Sequence, residues 1–294
     1  MMKLIELHGL IARNAHAPWA LRFFNCLKGV LASAPVVMGL NPAIAADLPT
    51  AYGNKLVVIA HRGEHQSHHE NTVEAVLGAI EAGADYVELD IRRTADGHHV
   101  LMHDSSVERM TDGHGKIADL TWEQLRSLHV QDRRLTNVPP SHIPEFAEVL
   151  PLCVGKINIY VDFKNGDRVE TTRMIRDAKM SRQVVIYDGS QAMAKWREIA
   201  PEFPIITSPS GKSEGDVAEL GKFLDRYKPE VIDSADTAEL VQAAKSHGTL
   251  AWPDIQSSKE GPEYWRAALA RGMAGVQSDH PVELVKWLKE NHLR

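Results

Sequence analysis

Residues 56–104 read LVVIAHRGEHQSHHENTVEAVLGAIEAGADYVELDIRRTADGHHVLMHD. The opening run, Leu56–Ala60, is continuously apolar, as expected of a strand buried on both faces. Asn71 with Glu74 three residues on resembles a capping box, and Gly83 closes the helix that follows over 72–82. A second strand follows over Tyr86–Arg92. Strand, helix and strand in this order make one unit of a parallel sheet.

The same alternation continues to the end of the chain. Further strands are expected at His99–His103, Ile157–Phe163, Val184–Tyr187, Ile205–Thr207, Val231–Asp233, Leu250–Trp252 and Val276–Ser278. Helices are expected over 121–128, 168–179, 190–200, 214–227, 237–247, 262–271 and 281–290. With about eight strands, a closed barrel is favoured over an open sheet. An open doubly wound sheet needs a glycine-rich phosphate loop after its first strand, and His61-Arg62-Gly63-Glu64 is not one. The expected fold is α/β, a distorted (β/α)8 TIM barrel over residues 54–294.

One unit departs from the alternation. The link from Arg92 to His99 is shorter than the dozen or so residues of a parallel crossover, and Asp96-Gly97 is a hairpin turn signal. A two-residue turn there pairs Ala95 with His98 and sets Asp90 opposite His103. Residues 104–156, broken by Pro139, Pro140, Pro144 and Pro151, form a small insertion after the third strand, with one short helix expected in it.

The chemistry lies at the expected strand ends. His61 and Arg62 close the first strand, where barrel enzymes carry their reactive groups. Glu88 and Asp90, two residues apart on one strand, point to one face. Turned inward, they repel each other unless a cation, a proton or a basic partner joins them. One hard divalent cation, Mg²⁺ or Ca²⁺, fits oxygen ligands best. Asp162 and Lys164 repeat the pattern at a later strand end, where Asp162 could complete the metal site and Lys164 could neutralise a phosphate oxygen. His61 and His103 can exchange protons near neutral pH, and Arg62 can grip a phosphate. Together these groups describe a site for breaking a phosphodiester bond. The cluster His65, His68 and His69 has no accompanying cysteine or second ligand pair, so it does not read as a zinc site; His69 is expected to line the pocket or face solvent. No G-x-S-x-G elbow or cysteine nucleophile context is present.

The chain has 294 residues, 44% of them apolar and 24% charged, ample for one core. Arg22 and Lys28 precede a weakly apolar run, Gly29 to Leu40, and small residues in an A-x-A pattern end at Ala45. Residues 1–46 therefore read as a signal peptide, which places the protein in the periplasm or medium. Cleavage after Ala45 removes Lys3, Arg13, Arg22, Lys28 and Glu6, taking the net charge from −6 to −9. So negative a chain is unsuited to nucleic acid, and the apolar run is too short for a membrane span. Cys153 alone remains, so no intrachain disulfide can form.

Five ordered motifs resemble the glycerophosphodiester phosphodiesterase family: His61-Arg62-Gly63, Glu70-Asn71-Thr72, Glu88-Leu89-Asp90, Thr94-Ala95-Asp96-Gly97 and His103-Asp104. Trp252 and the ending Gln277-Ser278-Asp279-His280-Pro281 extend the likeness over residues 56–292. The resemblance implies a distorted (β/α)8 barrel that hydrolyses glycerophosphodiesters, with a metal, to glycerol 3-phosphate and an alcohol. It implies His61 and His103 as general acid and base, and Glu88, Asp90 and Asp162 as metal ligands. Arg62 and Lys164 would hold the phosphate, with Glu70 and Trp252 in or behind the pocket. A neighbouring glycerol hydroxyl would attack first, giving a cyclic phosphate that water opens. Two positions depart from the family: His69 stands where proline is usual, and Asp162 where the third ligand is usually glutamate. Asp162 is one methylene shorter, so the ion shifts or a water bridges. The competing readings are a phospholipase of the same barrel type acting on intact lipid headgroups, and a silent binding protein for exported phosphodiesters.

Overall fold

The computed structural model describes Leu48, residues 56–257 and residues 259–294. The expected signal peptide, residues 1–46, lies outside them. The strands are β1 (Val57–Ala60), β2 (Tyr86–Arg93), β3 (His99–Leu101), β4 (Asn158–Phe163), β5 (Val184–Tyr187), β6 (Ile205–Thr207), β7 (Val231–Ile232), β8 (Leu250–Ala251) and β9 (Gly275–Ser278). All but β3 run parallel, in the order β8-β7-β6-β5-β4-β2-β1-β9. Backbone bonds draw the two ends of this path together: Ala274 N–H donates to Ala251 O at 3.1 Å, and Ile255 N–H to Gln277 O at 3.0 Å. The result is a nearly closed eight-stranded barrel, as the alternation of elements requires.

The helices are α1 (Val73–Ala82), α2 (Trp122–Arg126), α3 (Phe146–Cys153), α4 (Arg168–Asp177), α5 (Met193–Ile199), α6 (Val217–Tyr227), α7 (Ala238–Ser246), α8 (Pro262–Arg271) and α9 (Pro281–Glu290). Strand residues divide by the two-residue period. Val58, Val87, Leu89, Ile91, Ile159 and Val161 pack outward into the layer shared with the helices. Val57, Ile59, Tyr86, Tyr160, Val185, Ile206, Val231 and Trp252 pack inward as a separate apolar floor. Glu88 and Asp90 continue the inward face begun by Tyr86, and Asp162 that begun by Tyr160. The fold thus sets these carboxylates on top of an apolar plug, at the C-terminal ends of the strands.

Three local expectations are corrected. Ile91 pairs with Leu101 and Arg93 with His99, so the hairpin turns on three residues, Ala95 to Gly97, and Asp90 faces Met102 rather than His103. Gly97 takes the left-handed conformation (φ 97°) that such a loop needs. Asp96 is held out of a two-residue turn because its carboxylate accepts from Thr94 Oγ1 at 2.6 Å and from Trp122 N–H, at the start of α2, at 2.9 Å. Helix α1 starts one residue late: Thr72 caps it by accepting from Ala75 N–H, and Asn71 is used elsewhere. Residues 104–156 hold two α-helices rather than one, and their Val107, Met110, Ile117 and Leu125 pack against Val100 of β3 and Met102 in a small separate core. Pro151 sits inside α3, near its C-terminal end.

Candidate active site

The chain leaving β1 turns through two left-handed residues, Arg62 (φ 52°) and Gly63 (φ 85°). A Cβ on Gly63 would sit 2.6 Å from Ala75 Cβ and 2.8 Å from its carbonyl oxygen, so only glycine lets α1 come this close. The turn aims the Arg62 N–H at Glu88 Oε2, which accepts it at 2.7 Å. An arginine held left-handed stores strain, and strain of this kind gathers at functional sites.

Glu88 and Asp90 are buried, and Asp162 sits beside Asp90 in direct register across β2 and β4. One oxygen from each of the three carboxylates falls within 4.8 Å of the others. Burial, then the negative charges of Asp90 and Asp162, push the Glu88 carboxyl well above its usual range. Burial and Asp90 push Asp162 up to about 7, against the pull of Lys164. Lys164 Nζ lies 2.5 Å from Asp162 Oδ2 and 3.2 Å from Asp90 Oδ1. Burial works against its charge, but the two carboxylates outweigh this and hold the ammonium above its ordinary range. Asn71 fixes Asp90 from the other side, donating to Oδ2 at 2.7 Å and accepting its N–H at 3.1 Å. Asp90 Oδ1 is buried without a hydrogen bond, its contact with Lys164 being an ion pair only. An all-oxygen donor set with an uncommitted buried lone pair suits a hard divalent cation.

Each candidate catalytic histidine leans on a carboxylate. His61 Nδ1 lies 2.7 Å from Asp279 Oδ1, and His103 Nδ1 lies 2.8 Å from Asp104 Oδ1. With Nδ1–H donating, Nε2 is left as the proton-transfer nitrogen of each ring. Burial pulls the His61 pKa below the usual histidine value, against its bond to Asp279, and the nearby Arg62 charge pulls the same way. His65 fixes this corner, with Nδ1 2.7 Å from the His61 carbonyl and Nε2 3.4 Å from Asp279 Oδ1. The Arg92 guanidinium donates to the His103 carbonyl at 2.9 and 2.5 Å, so β2 sets this histidine even though it lies past the paired residues.

Glu70 is buried and bridges two arginines. It accepts from Arg62 at 3.1 and 3.2 Å and from Arg109 at 2.6 and 3.1 Å. Arg109 also donates to Asp104 at 2.6 Å, and this bond heads the causes that hold the Asp104 carboxyl down to about 2. An unbroken chain therefore runs from His103 through Asp104, Arg109 and Glu70 to Arg62. Trp252 lies in the apolar floor, its ring 5.1 Å from that of Tyr86, below the carboxylates rather than at the opening. His69 neither lines the mouth nor faces solvent. It is 2% exposed and pins the insertion, accepting from Asp132 N–H at 3.0 Å and reaching Pro139 O at 3.1 Å. A cavity of about 480 Å³ opens beside Lys164, bounded by Arg93, Phe163, Asn165 and Arg168.

The structure thus gathers His61, Arg62, Glu70, Glu88, Asp90, His103, Asp162 and Lys164 at one end of the barrel. Sequence reasoning missed four supporting groups: Asn71, Asp104, Arg109 and Asp279. Asn71, Asp104 and Asp279 stood inside quoted motifs; for the two aspartates, a place beside a histidine or after a strand end was the available signal. Nothing local marks Arg109, which reaches the site only through the fold of the insertion.

Residues 61–283 match the glycerophosphoryl diester phosphodiesterase family. The chain belongs to this family of phosphoric diester hydrolases. It is 27% identical over 245 residues to the glycerophosphodiester phosphodiesterase of Caldanaerobacter subterraneus, covering 80% of this chain and 99% of that one. It is 43% identical over 114 residues to glycerophosphodiester phosphodiesterase 1 of Homo sapiens, covering 38% of this chain and 34% of that one. The fold matches that of the glycerophosphodiester phosphodiesterase from Agrobacterium tumefaciens with a TM-score of 0.69 at 19% identity, over 79% of this chain and 99% of the other. It also matches an Oleispira antarctica phosphodiesterase solved with the product sn-glycerol-3-phosphate, with a TM-score of 0.65 at 19% identity over 79% and 96%. Among the described residues no helix is long and apolar enough to cross a membrane.

Proposed function

We propose that this chain hydrolyses glycerophosphodiesters to glycerol 3-phosphate and an alcohol, using one divalent cation, Mg²⁺ or Ca²⁺, and His61 and His103 for proton transfer. One observation carries the reading. A carboxylate triad with two buried members, two histidine–carboxylate pairs and the cations Arg62 and Lys164 surround a single barrel mouth. Family membership and the product bound by the Oleispira relative support the substrate class.

Glu88, Asp90 and Asp162 would hold the cation, which when bound supplies positive charge at a phosphoryl oxygen. Arg62 and Lys164 neutralise the remaining phosphoryl charge, from positions fixed by Glu70, Asp90 and Asp162. His61, kept neutral near pH 7 by burial, takes the proton of the attacking oxygen as its bond to phosphorus forms. His103, the more exposed imidazole, gives a proton to the alcohol oxygen as the second phosphorus–oxygen bond breaks. Asp279 and Asp104 hold the two rings in the tautomer this requires.

The test is release of glycerol 3-phosphate from soluble glycerophosphodiesters, compared with turnover of phospholipid vesicles. Release from the soluble diesters is expected. Turnover of vesicle lipid alone would replace this reading with the phospholipase alternative. Export to the periplasm or medium belongs to the same proposal and rests on the basic, apolar and small-residue run before Ala46. N-terminal sequencing of exported protein should begin near Ala46, and a retained Met1 would contradict it.

A further inference from the structure

Five of the nine buried side-chain atoms without a hydrogen-bond partner among the described residues belong to the ends of β7, β8 and β9. They are Asp233 Oδ1, Ser234 Oγ, Trp252 Nε1, Gln256 Nε2 and Gln277 Oε1. Folded proteins leave few such groups unsatisfied, so their concentration in one sector calls for an explanation. The strand order places the sector. Around the barrel β7 stands four strands from β2, and β8 four strands from β4. Asp233 and Asp254 therefore face the carboxylate triad from the far wall of the mouth. Their charges reach across it: Asp254 raises Asp162, and Lys164 lowers Asp254.

The far wall is built of acceptors. Asp254 N–H donates to Asp233 O at 3.2 Å, which holds the two strand ends together. Asp233 Oδ2 accepts from Ser208 Oγ at 2.7 Å, itself 2.7 Å from the Tyr187 hydroxyl, and Oδ1 is left unpaired. Gln277 is 95% buried at 5% exposure, and its amide donates to Asp254 Oδ1, so its head lies on this wall with Oε1 unpaired. Neither Asp233 nor Asp254 has an ion pair among the described residues, whereas Lys164 is already shared by Asp162 and Asp90. Asp233 is half-buried, which raises its carboxyl, and Asp254 is exposed at the rim of the wall. A half-buried carboxylate, a solvent-facing one beside it and a buried, unpaired amide oxygen favour a group that brings positive charge and N–H donors together.

We infer that Asp233, Asp254 and Gln277 form the subsite for the alcohol end of the substrate, and that it takes an alcohol bearing a primary ammonium, such as an ethanolamine ester. This rests on the phosphodiesterase reading above. A neutral polyol would satisfy the acceptors but leave the carboxylates uncompensated. A quaternary ammonium would compensate the charge without donating to Gln277.

The test is a ratio measured within each protein: kcat/KM for glycerophosphoethanolamine divided by that for glycerophosphoglycerol. Because both substrates meet the same folded fraction, loss of folding cancels. The wild-type ratio should exceed one. In Asp233→Asn and in Asp254→Asn it should fall by about tenfold, the size expected when one charged hydrogen-bond partner of an ammonium is lost. Glycerophosphocholine should rank between the two substrates in the wild type. Equal losses on all substrates would assign the wall to the shared glycerol end and overturn the inference, as would a wild-type ratio at or below one. Absence of turnover with every diester would instead remove the phosphodiesterase reading itself.

Discussion

At the residue scale, the division of labour between the histidines follows from their surroundings. His61 is enclosed beside Arg62 and leans on Asp279, whereas His103 stands near the surface on Asp104. His61→Ala and His103→Ala should each lower kcat by about 10²–10⁴, the usual contribution of general acid–base catalysis, with thermal unfolding little changed. Near-normal turnover in either variant would remove that ring from the mechanism. Because the His61 pKa is lowered, the acid limb of the kcat/KM profile should fall below pH 6.5 rather than above it. Asp162→Glu restores the length usual in the family. It should keep turnover while changing the ratio of Mg²⁺- to Ca²⁺-supported rates, and an unchanged ratio would take Asp162 out of the metal site. The charged residues were legible in the sequence because strand alternation assigns faces: Glu88 with Asp90, and Asp162 with Lys164, had to share a side. Their hydrogen-bond partners were not, since Asn71 reaches Asp90 across 19 residues and Asp279 reaches His61 across 218.

At the element scale, the insertion acts on the site through one side chain. Arg109 joins Asp104, behind His103, to Glu70, behind Arg62. Arg109→Ala would leave Glu70 buried beside one arginine fewer and free the Asp104 carboxylate. A loss in kcat/KM of about tenfold to hundredfold is expected, the range for bonds to charged groups. The pH profile should move with it, since Asp104 sets the charge beside His103. A loss with no change in the profile would leave Arg109 a structural role only. The hairpin shows where element-level reading stops. Asp96-Gly97 marks the turn correctly, but the carboxylate of Asp96 is held by Thr94 and by the start of α2, and that long-range bond moves the register by one residue. The start of α1 moved for the same reason: Asn71 was drawn to Asp90 and left the cap to Thr72.

At the scale of the whole molecule, the site sets stability against function. Glu88 and Asp162 have raised carboxyl pKa values in the folded chain, so between roughly pH 4 and 7 the folded state binds more protons than the unfolded one. Stability from these groups is therefore greatest at low pH and is lost as pH rises through about 7. A cation bound to the triad replaces those protons. Added Mg²⁺ or Ca²⁺ should raise the unfolding temperature more at pH 8 than at pH 6, and an equal rise at both would mean binding elsewhere. The barrel itself was readable from strand and helix alternation, because β–α units of this length permit few other arrangements. The far wall was not, since Asp233, Asp254 and Gln277 meet only once the barrel closes between β8 and β9. Metal-dependent cleavage of a glycerophosphodiester at the triad is tested most directly by glycerol 3-phosphate release from chelator-treated protein, before and after Mg²⁺ or Ca²⁺ is added, beside Asp90→Asn. No release before addition, recovery after it, and no recovery in Asp90→Asn is the expected result; full turnover by the chelated wild-type protein would contradict it.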